Sequence, residues 1–465
     1  MSTPRTPTAS GGAPPAEGER STKDLARAAV SGWLGTALEF MDYQLYSLAT
    51  ALVFAFLFFP SDEPGVALIA AMGVYGVGYV ARLAGAVYFG RMGDRLGRKR
   101  VLVITIALMG GSTTLIGVLP TYEQVGLLAP ALLVALRLVQ GFGAGAEIAG
   151  ATVMLVEYAP VRRRGLIASL VALGTNTGTL LASGIWAILL QVLTQDQLLS
   201  WGWRLPFLLS IVLLLMTVYI RRHLKESPVF EQRADVQDGV ALTRAEIAAQ
   251  ESAADRGVIE SGLEQRKGRA FFLAFGLRFG QAGNSGIIQT FLLGYLATEL
   301  LLEGTVGTTA ILIGSAIGFL TVPLAGMAGD RFGRRPVYTV LTIFTMAYAF
   351  PMVAMLDTRD PLLVSIAIVV ALNLGVLGLF SMESVTMAEL FGGRSRFTQL
   401  ALAKEIGGVL ATAIGPVLAA ALTVATGSGW PIAVMIVAYS ACALVAARLA
   451  PETRGRDLVQ LQDAA

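Results

Sequence analysis

The chain reads as an all-α membrane protein, with about twelve transmembrane helices in two parallel six-helix halves. Three observations predict this. First, its 465 residues are 55% hydrophobic and only 14% charged, too little polar surface to cover the molecule in water. Second, apolar windows long enough to cross a bilayer recur throughout, for example at 101–119, 205–220, 307–325 and 429–448. Third, GRMGDRLGRK at 90–99 returns as GMAGDRFGRR at 326–335, an offset of 330 − 94 = 236 residues between Asp94 and Asp330. That is the length of a multi-helix unit. EYAPVRRRG from Glu157 and ELFGGRSRF from Glu389 echo each other in the same way, with Arg162 and Arg164 answered by Arg394 and Arg396. Two parallel halves of this kind bracket a midplane site in transporters.

The apolar windows place the helices in order. In the first half they fall at 30–59, 66–89, 101–119, 125–157, 166–192 and 204–222, the second closing on the basic string and the sixth on Arg221 and Arg222. In the second half they fall at 269–299, 307–328, 337–356, 361–390, 397–424 and 429–449. The repeated strings are too polar for hydrocarbon and are expected to be tight loops. Residues 1–27, rich in Pro, Ser, Thr, Gly and Ala, read as a disordered tail without the apolar core of a signal peptide. The domains expected are a bundle over 28–222, a polar linker over 223–268, a second bundle over 269–450 and a short polar tail over 451–465.

Lys and Arg set the orientation, because they accumulate in cytoplasmic loops. Arg91, Arg95, Arg98, Lys99 and Arg100 follow the second helix, Arg162 to Arg164 the fourth, Arg331, Arg334 and Arg335 the eighth, and Arg394 and Arg396 the tenth. The opposite loops hold only Arg359. Both termini are therefore expected in the cytoplasm, in a multi-pass protein of the inner, or plasma, membrane. The sequence pI near 9.0 records topology, not nucleic-acid binding.

Enzyme chemistry is poorly supplied. The single histidine, His223, falls where the sixth helix leaves the membrane, with no second histidine to share a metal. Cys442 is the single cysteine and packs in the last apolar run. The Gly-rich strings lack the Gly-Lys-Ser/Thr ending of a nucleotide-binding loop. No enzyme, metal or cofactor is expected. The energy source expected is an ion gradient, with the proton as coupling ion, a small molecule as substrate, the bilayer as surroundings and a monomer as the working unit.

The strings at 90–99 and 326–335 resemble the signature loops of the major facilitator superfamily, and the match spans both halves. The resemblance implies a cytoplasmic gate built from Asp94, Arg95, Arg98 and Glu157 and their counterparts Asp330, Arg331, Arg334 and Glu389. Asp at such a turn can accept bonds from the N–H groups of a nearby helix end, and the arginines can pair with Glu157 and Glu389. The alternative is that the loops only fix topology by charge. Further strings are similar to the metabolite:proton symporters that include shikimate, α-ketoglutarate, citrate and proline/betaine carriers: GTALEFMDYQLY at 35–46, YVARLAGAVYFG at 79–90, VQGFGAGAEIAGATVMLVEYAP at 139–160, WGWRLPFLL at 201–209, KESPVF at 225–230 and AELF at 388–391. Ala146, Lys404 and Glu405 depart from the usual pattern of that group.

A charge inside a span is costly and usually faces a cavity or a partner. Glu39 and Asp42, three apart, share a face of the first helix and suit a proton site; Glu147 is the third candidate. Alternatively Arg82 or Arg137 neutralises these acids permanently. Arg278, Arg137 and Lys404 are candidate anchors for a substrate carboxylate, with Gln281, Asn284 and Asn176 for its hydroxyls. Glu383 and Glu405 could instead pair away Lys404, and the amides could simply bridge helices. The function expected is proton-coupled uptake of an organic acid by alternating access. A sugar porter or a proline/betaine-type carrier is the alternative, followed by a drug/proton antiporter or a nontransporting sensor.

Overall fold

The computed structural model describes residues 22–49, 53–60, 64–232, 236–237, 240–241, 261–302, 304–460 and 463–464. Its long helices are α1 (Thr22–Ala49), α2 (Pro64–Leu96), α3 (Arg98–Ile116), α4 (Leu128–Tyr158), α5 (Arg164–Val192) and α6 (Arg204–Arg222). The second half has α7 (Ser261–Ser285, continued to Thr298), α8 (Gly304–Phe332), α9 (Arg334–Asp357), α10 (Pro361–Leu390), α11 (Arg396–Thr426) and α12 (Trp430–Leu449). Among the described residues nine helices are long and apolar enough to cross a membrane; α1, α2 and α7 are not in that set.

The duplication is visible in the packing. In the first half α1 packs on α5, α2 on α4 and α3 on α6; in the second α7 packs on α11, α8 on α10 and α9 on α12. Between the halves the main contacts are also reciprocal, α2 with α11 and α5 with α8. Large apolar side chains such as Val80, Ile188, Leu215, Leu320 and Val417 stand exposed on the outside, as lipid-facing helices require.

The repeated strings are not loops. α2 runs on through Asp94 to Leu96 and α8 through Asp330 to Phe332, and each turn is one glycine, Gly97 at φ 96° and Gly333 at φ 104°. Polar residues leave the hydrocarbon as readily in a helix as in a loop, since a helix satisfies its own backbone. The turn itself needs glycine, because that backbone region is closed to other residues.

Boundaries differ elsewhere. The first helix begins at Thr22, inside the expected tail, and ends at Ala49, with a separate short turn at Ala55–Leu57. Residues 1–21 of that tail lie outside the described residues. Of the expected linker, Pro228–Glu231 is a helical turn, Val236–Gln237 pairs with Val240–Ala241, and α7 has begun by Ser261; residues 242–260 lie outside the described residues. The tail after α12 packs back on the bundle, burying Thr453 and Leu458.

Candidate functional site: a closed loop end and a charged midplane

Asp94 and Asp330 lie where the halves meet. Asp94 accepts from the backbone N–H of Phe397 (3.2 Å) and Thr398 (2.9 Å) and from the Thr398 hydroxyl (2.6 Å), at the first turn of α11. Asp330 accepts from the N–H of Gly165 (2.8 Å) and Leu166 (2.9 Å), at the first turn of α5. Each acid thus caps a helix of the other half, where unpaired N–H groups and the dipole favour a negative charge. The Phe397 ring fills the space left by glycines; a Cβ on Gly150 would stand 2.7 Å from it.

Arginine–glutamate pairs lie beneath the caps. Arg98 Nε is 3.3 Å from Glu157, and Arg396, from the other half, donates to the same carboxylate at 2.7 Å. Arg334 pairs with Glu389 at 3.1 Å and with Asp330 at 2.8 Å. Arg95 and Arg331, expected in the same gate, are instead exposed, with the Arg331 guanidinium 5.3 Å from the centre of the Phe332 ring.

The sequence reading missed a second layer. Glu226 accepts from the N–H of Arg98 (2.9 Å) and Lys99 (3.2 Å), and Glu452 from the N–H of Arg334 (2.9 Å) and Arg335 (3.1 Å). Ser227 donates to Glu157, and Thr453 to Glu389 at 2.8 Å. The clue was present in KESP and PETR, where Glu-Ser and Glu-Thr recur 452 − 226 = 226 residues apart. Burial raises the carboxyl pKa of Glu226, opposed by the N–H groups it accepts from.

Deeper in the first half, a small cavity is lined by Glu39, Asp42, Arg82, Arg137, Gln140 and small neighbours such as Gly78 and Ala144. Asp42 is joined to Arg137 by a relay. The Thr113 hydroxyl of α3 donates to Asp42 at 2.6 Å, Gln140 donates to Thr113 at 2.6 Å, and Arg137 donates to Gln140 at 2.5 Å. The Arg137 guanidinium sits 3.8 Å from the centre of the Tyr46 ring. Glu39 accepts from Arg82 at 2.8 Å, and Arg82 also reaches across the halves to Glu405 at 2.7 and 2.9 Å.

Glu147 does not line that cavity. It is fully buried in a two-pronged pair with Arg221 of α6 and accepts from Thr105 at 2.8 Å, so the third candidate acid sits in a closed structural pair.

The candidate substrate residues divide. Arg278 and Lys404 flank Glu383, at 3.7 and 3.3 Å, with the Phe380 ring beside both cations. Gln281 accepts from Arg278 at 2.8 Å. Asn284 donates instead to Ser440 of α12 at 2.9 Å, a bridge between helices. Asn176 donates at 3.4 Å to the Ser315 carbonyl, from α5 to α8 across the halves.

This fold, with its duplicated capping acids and charged interior, defines a membrane carrier. Residues 33–465 match the model of the sugar (and other) transporter family, and the chain belongs to that family, within the major facilitator superfamily. It is 50% identical over 427 residues to YdfJ of Escherichia coli, itself only presumed to be a transporter, covering 91% of this chain and 96% of that one. It is 34% identical over 416 residues to the shikimate transporter of Escherichia coli, covering 90% and 92%. Its fold matches the proton:xylose symporter XylE bound to 6-bromo-6-deoxy-D-glucose, with a TM-score of 0.73 at 18% identity, covering 94% of this chain and 98% of that one. The chain is a multi-pass inner-membrane transporter and not an enzyme.

Proposed function

We propose that the protein is a proton-coupled symporter that takes a small organic acid into the cell by alternating access, with the capped loop end and both termini on the cytoplasmic side. The relay from Asp42 to Arg137 carries this reading. A carboxylate buried at a cavity wall and tied through a hydroxyl and an amide to a guanidinium has two arrangements, one with the acid charged and one with it protonated. Protonation weakens its hold on Thr113 and releases the relay toward Arg137. The family strings and the likeness to a shikimate carrier support an organic acid as cargo. The positive residues around the loop turns support the orientation.

The test is uptake by purified protein in liposomes. An acidic exterior should drive accumulation, about tenfold per pH unit for one proton per substrate. If a protonophore leaves concentrative uptake untouched while sodium removal abolishes it, the reading fails. Asp42→Asn, which mimics the protonated acid, should keep exchange of internal for external substrate and lose accumulation against a gradient. Equal loss of both in a folded protein would make Asp42 a structural residue.

A further inference from the structure

The charges around the midplane form three groups that can be counted. The cavity group, Asp42 and Arg137, sums to zero. The cross-half group joins Arg82 to two carboxylates, Glu39 at 2.8 Å and Glu405 at 2.7 Å, and sums to minus one. The third group sets Arg278 and Lys404 around Glu383 alone and sums to plus one. Glu405 follows Lys404 directly in α11, so the second and third groups adjoin. The remaining acid described in this part of the bundle, Glu147, is cancelled by Arg221. With every group ionised the interior is neutral, and with a proton on Asp42 it carries one positive charge.

Moving a net charge through a low-dielectric interior is penalised, so neutral forms of the carrier change sides most readily. We infer that the substrate is a monocarboxylate, carried with one proton in an electroneutral cycle, and that its carboxylate binds at Arg278; this rests on the proton-symport reading above. The empty carrier is then neutral, and so is the carrier holding both proton and monoanion. A carrier with the proton alone is positive and one with the anion alone is negative, so neither crosses readily. Coupling follows from the count. A zwitterion or a sugar would leave the protonated form positive, and a dicarboxylate would make it negative.

Arg278 is the docking point because its charge is the least satisfied of the group. Its contact with Glu383 is long at 3.7 Å, against 3.3 Å for Lys404, and its side chain is 19% exposed against 4%. Gln281 and the Phe380 ring flank it, a donor–acceptor and an apolar wall for the body of an organic acid. The proton needs no relay to this group. It enters and leaves through Asp42, which faces Thr113 of α3, Gln140 and Arg137 of α4, Arg82 of α2 and Glu39 of its own helix.

The experiment is initial-rate uptake into proteoliposomes of radiolabelled shikimate and other monocarboxylates, with glycine betaine and succinate as zwitterion and dicarboxylate probes. Under a fixed pH gradient, an inside-negative potential set with potassium and valinomycin should change monocarboxylate uptake by less than about twofold. Several-fold stimulation by that potential overturns the charge count while leaving proton symport standing. Uptake indifferent to a protonophore sinks the symport reading itself. Glu383→Gln adds one positive charge and should shift preference from shikimate toward succinate by about tenfold, the size of one charged contact. An unchanged ratio in a folded variant overturns the inference. Thermal unfolding of the wild-type protein in detergent gives a reading independent of transport: a monocarboxylate should raise its melting temperature more than betaine or succinate does, and stabilisation by none of the monocarboxylates also overturns it.

Discussion

The two loop ends repeat the same parts with different wiring. In the first half Glu157 holds two arginines, one of them Arg396 from the other half, while Arg98 stands 3.8 Å from its own Asp94. In the second half Glu389 pairs with Arg334 of its own half, which also pairs closely with Asp330 at 2.8 Å. Arg164, the counterpart of Arg396, donates to the backbone carbonyl of Arg456. Both ends cap the opposite half through their aspartates, but duplicated sequence has given one glutamate an arginine from each half and the other glutamate an arginine of its own half. The Glu157 pairing therefore ties the halves directly, whereas that of Glu389 reaches the other half through Asp330.

The largest expected effect comes from breaking this difference at the glutamates. Glu157→Gln strands two buried guanidiniums and should cost the closed form about 3 to 5 kcal/mol. Glu389→Gln leaves Arg334 its contact with Asp330 and should cost about 1.5 to 3 kcal/mol. Labelling of single cysteines beneath the loop end would read the shift in population, and equal shifts would remove the asymmetry. Next come the turn glycines, where the halves are alike. Gly97→Ala and Gly333→Ala should each cost about 1 to 3 kcal/mol in thermal unfolding, since both positions have backbone angles closed to alanine. A harmless alanine at either would show that the turn has another conformation.

Smaller effects sharpen the comparison. Thr398→Val removes the hydroxyl bond that Asp94 receives and Asp330 lacks, and should open the loop end by about 0.5 to 1.5 kcal/mol. Leu166→Val, at the matching position, should leave cysteine accessibility unchanged. The smallest effect is that of Glu226. Burial raises its folded pKa, so its titration adds stability that is complete below the ordinary carboxylate range and is lost as pH rises through the raised value. Melting temperatures of Glu226→Gln should lack that slope, and a slope identical to that of the unmutated protein would assign it to another group.

Much of this was legible from one chain. The 236-residue repeat and the apolar windows follow from residue type and position, while the expectation that Asp94 and Asp330 meet helix ends and that the nearby arginines pair with Glu157 and Glu389 came with the family resemblance of the repeated strings. What was hidden depends on partners far apart in sequence. Glu147 looks like a free acid until Arg221 of α6 is placed against it, 74 residues on. Arg82 and Glu405 are separated by 323 residues and meet only across the halves. Polarity also misled: the strings at 90–99 and 326–335 are polar because they lie beyond the hydrocarbon, which says nothing about whether they remain helical.

The reciprocal capping has a consequence for assembly. Asp94 of α2 holds the start of α11, and Asp330 of α8 holds the start of α5, so each half gives the other the contact it receives. That exchange defines an isologous interface, the kind that joins two identical subunits about a twofold axis. This end is in effect a dimer interface folded into a single chain, and the connection between α6 and α7 serves it twice, by placing Glu226 and Ser227 against Arg98, Lys99 and Glu157 and by raising the effective concentration of one half at the other.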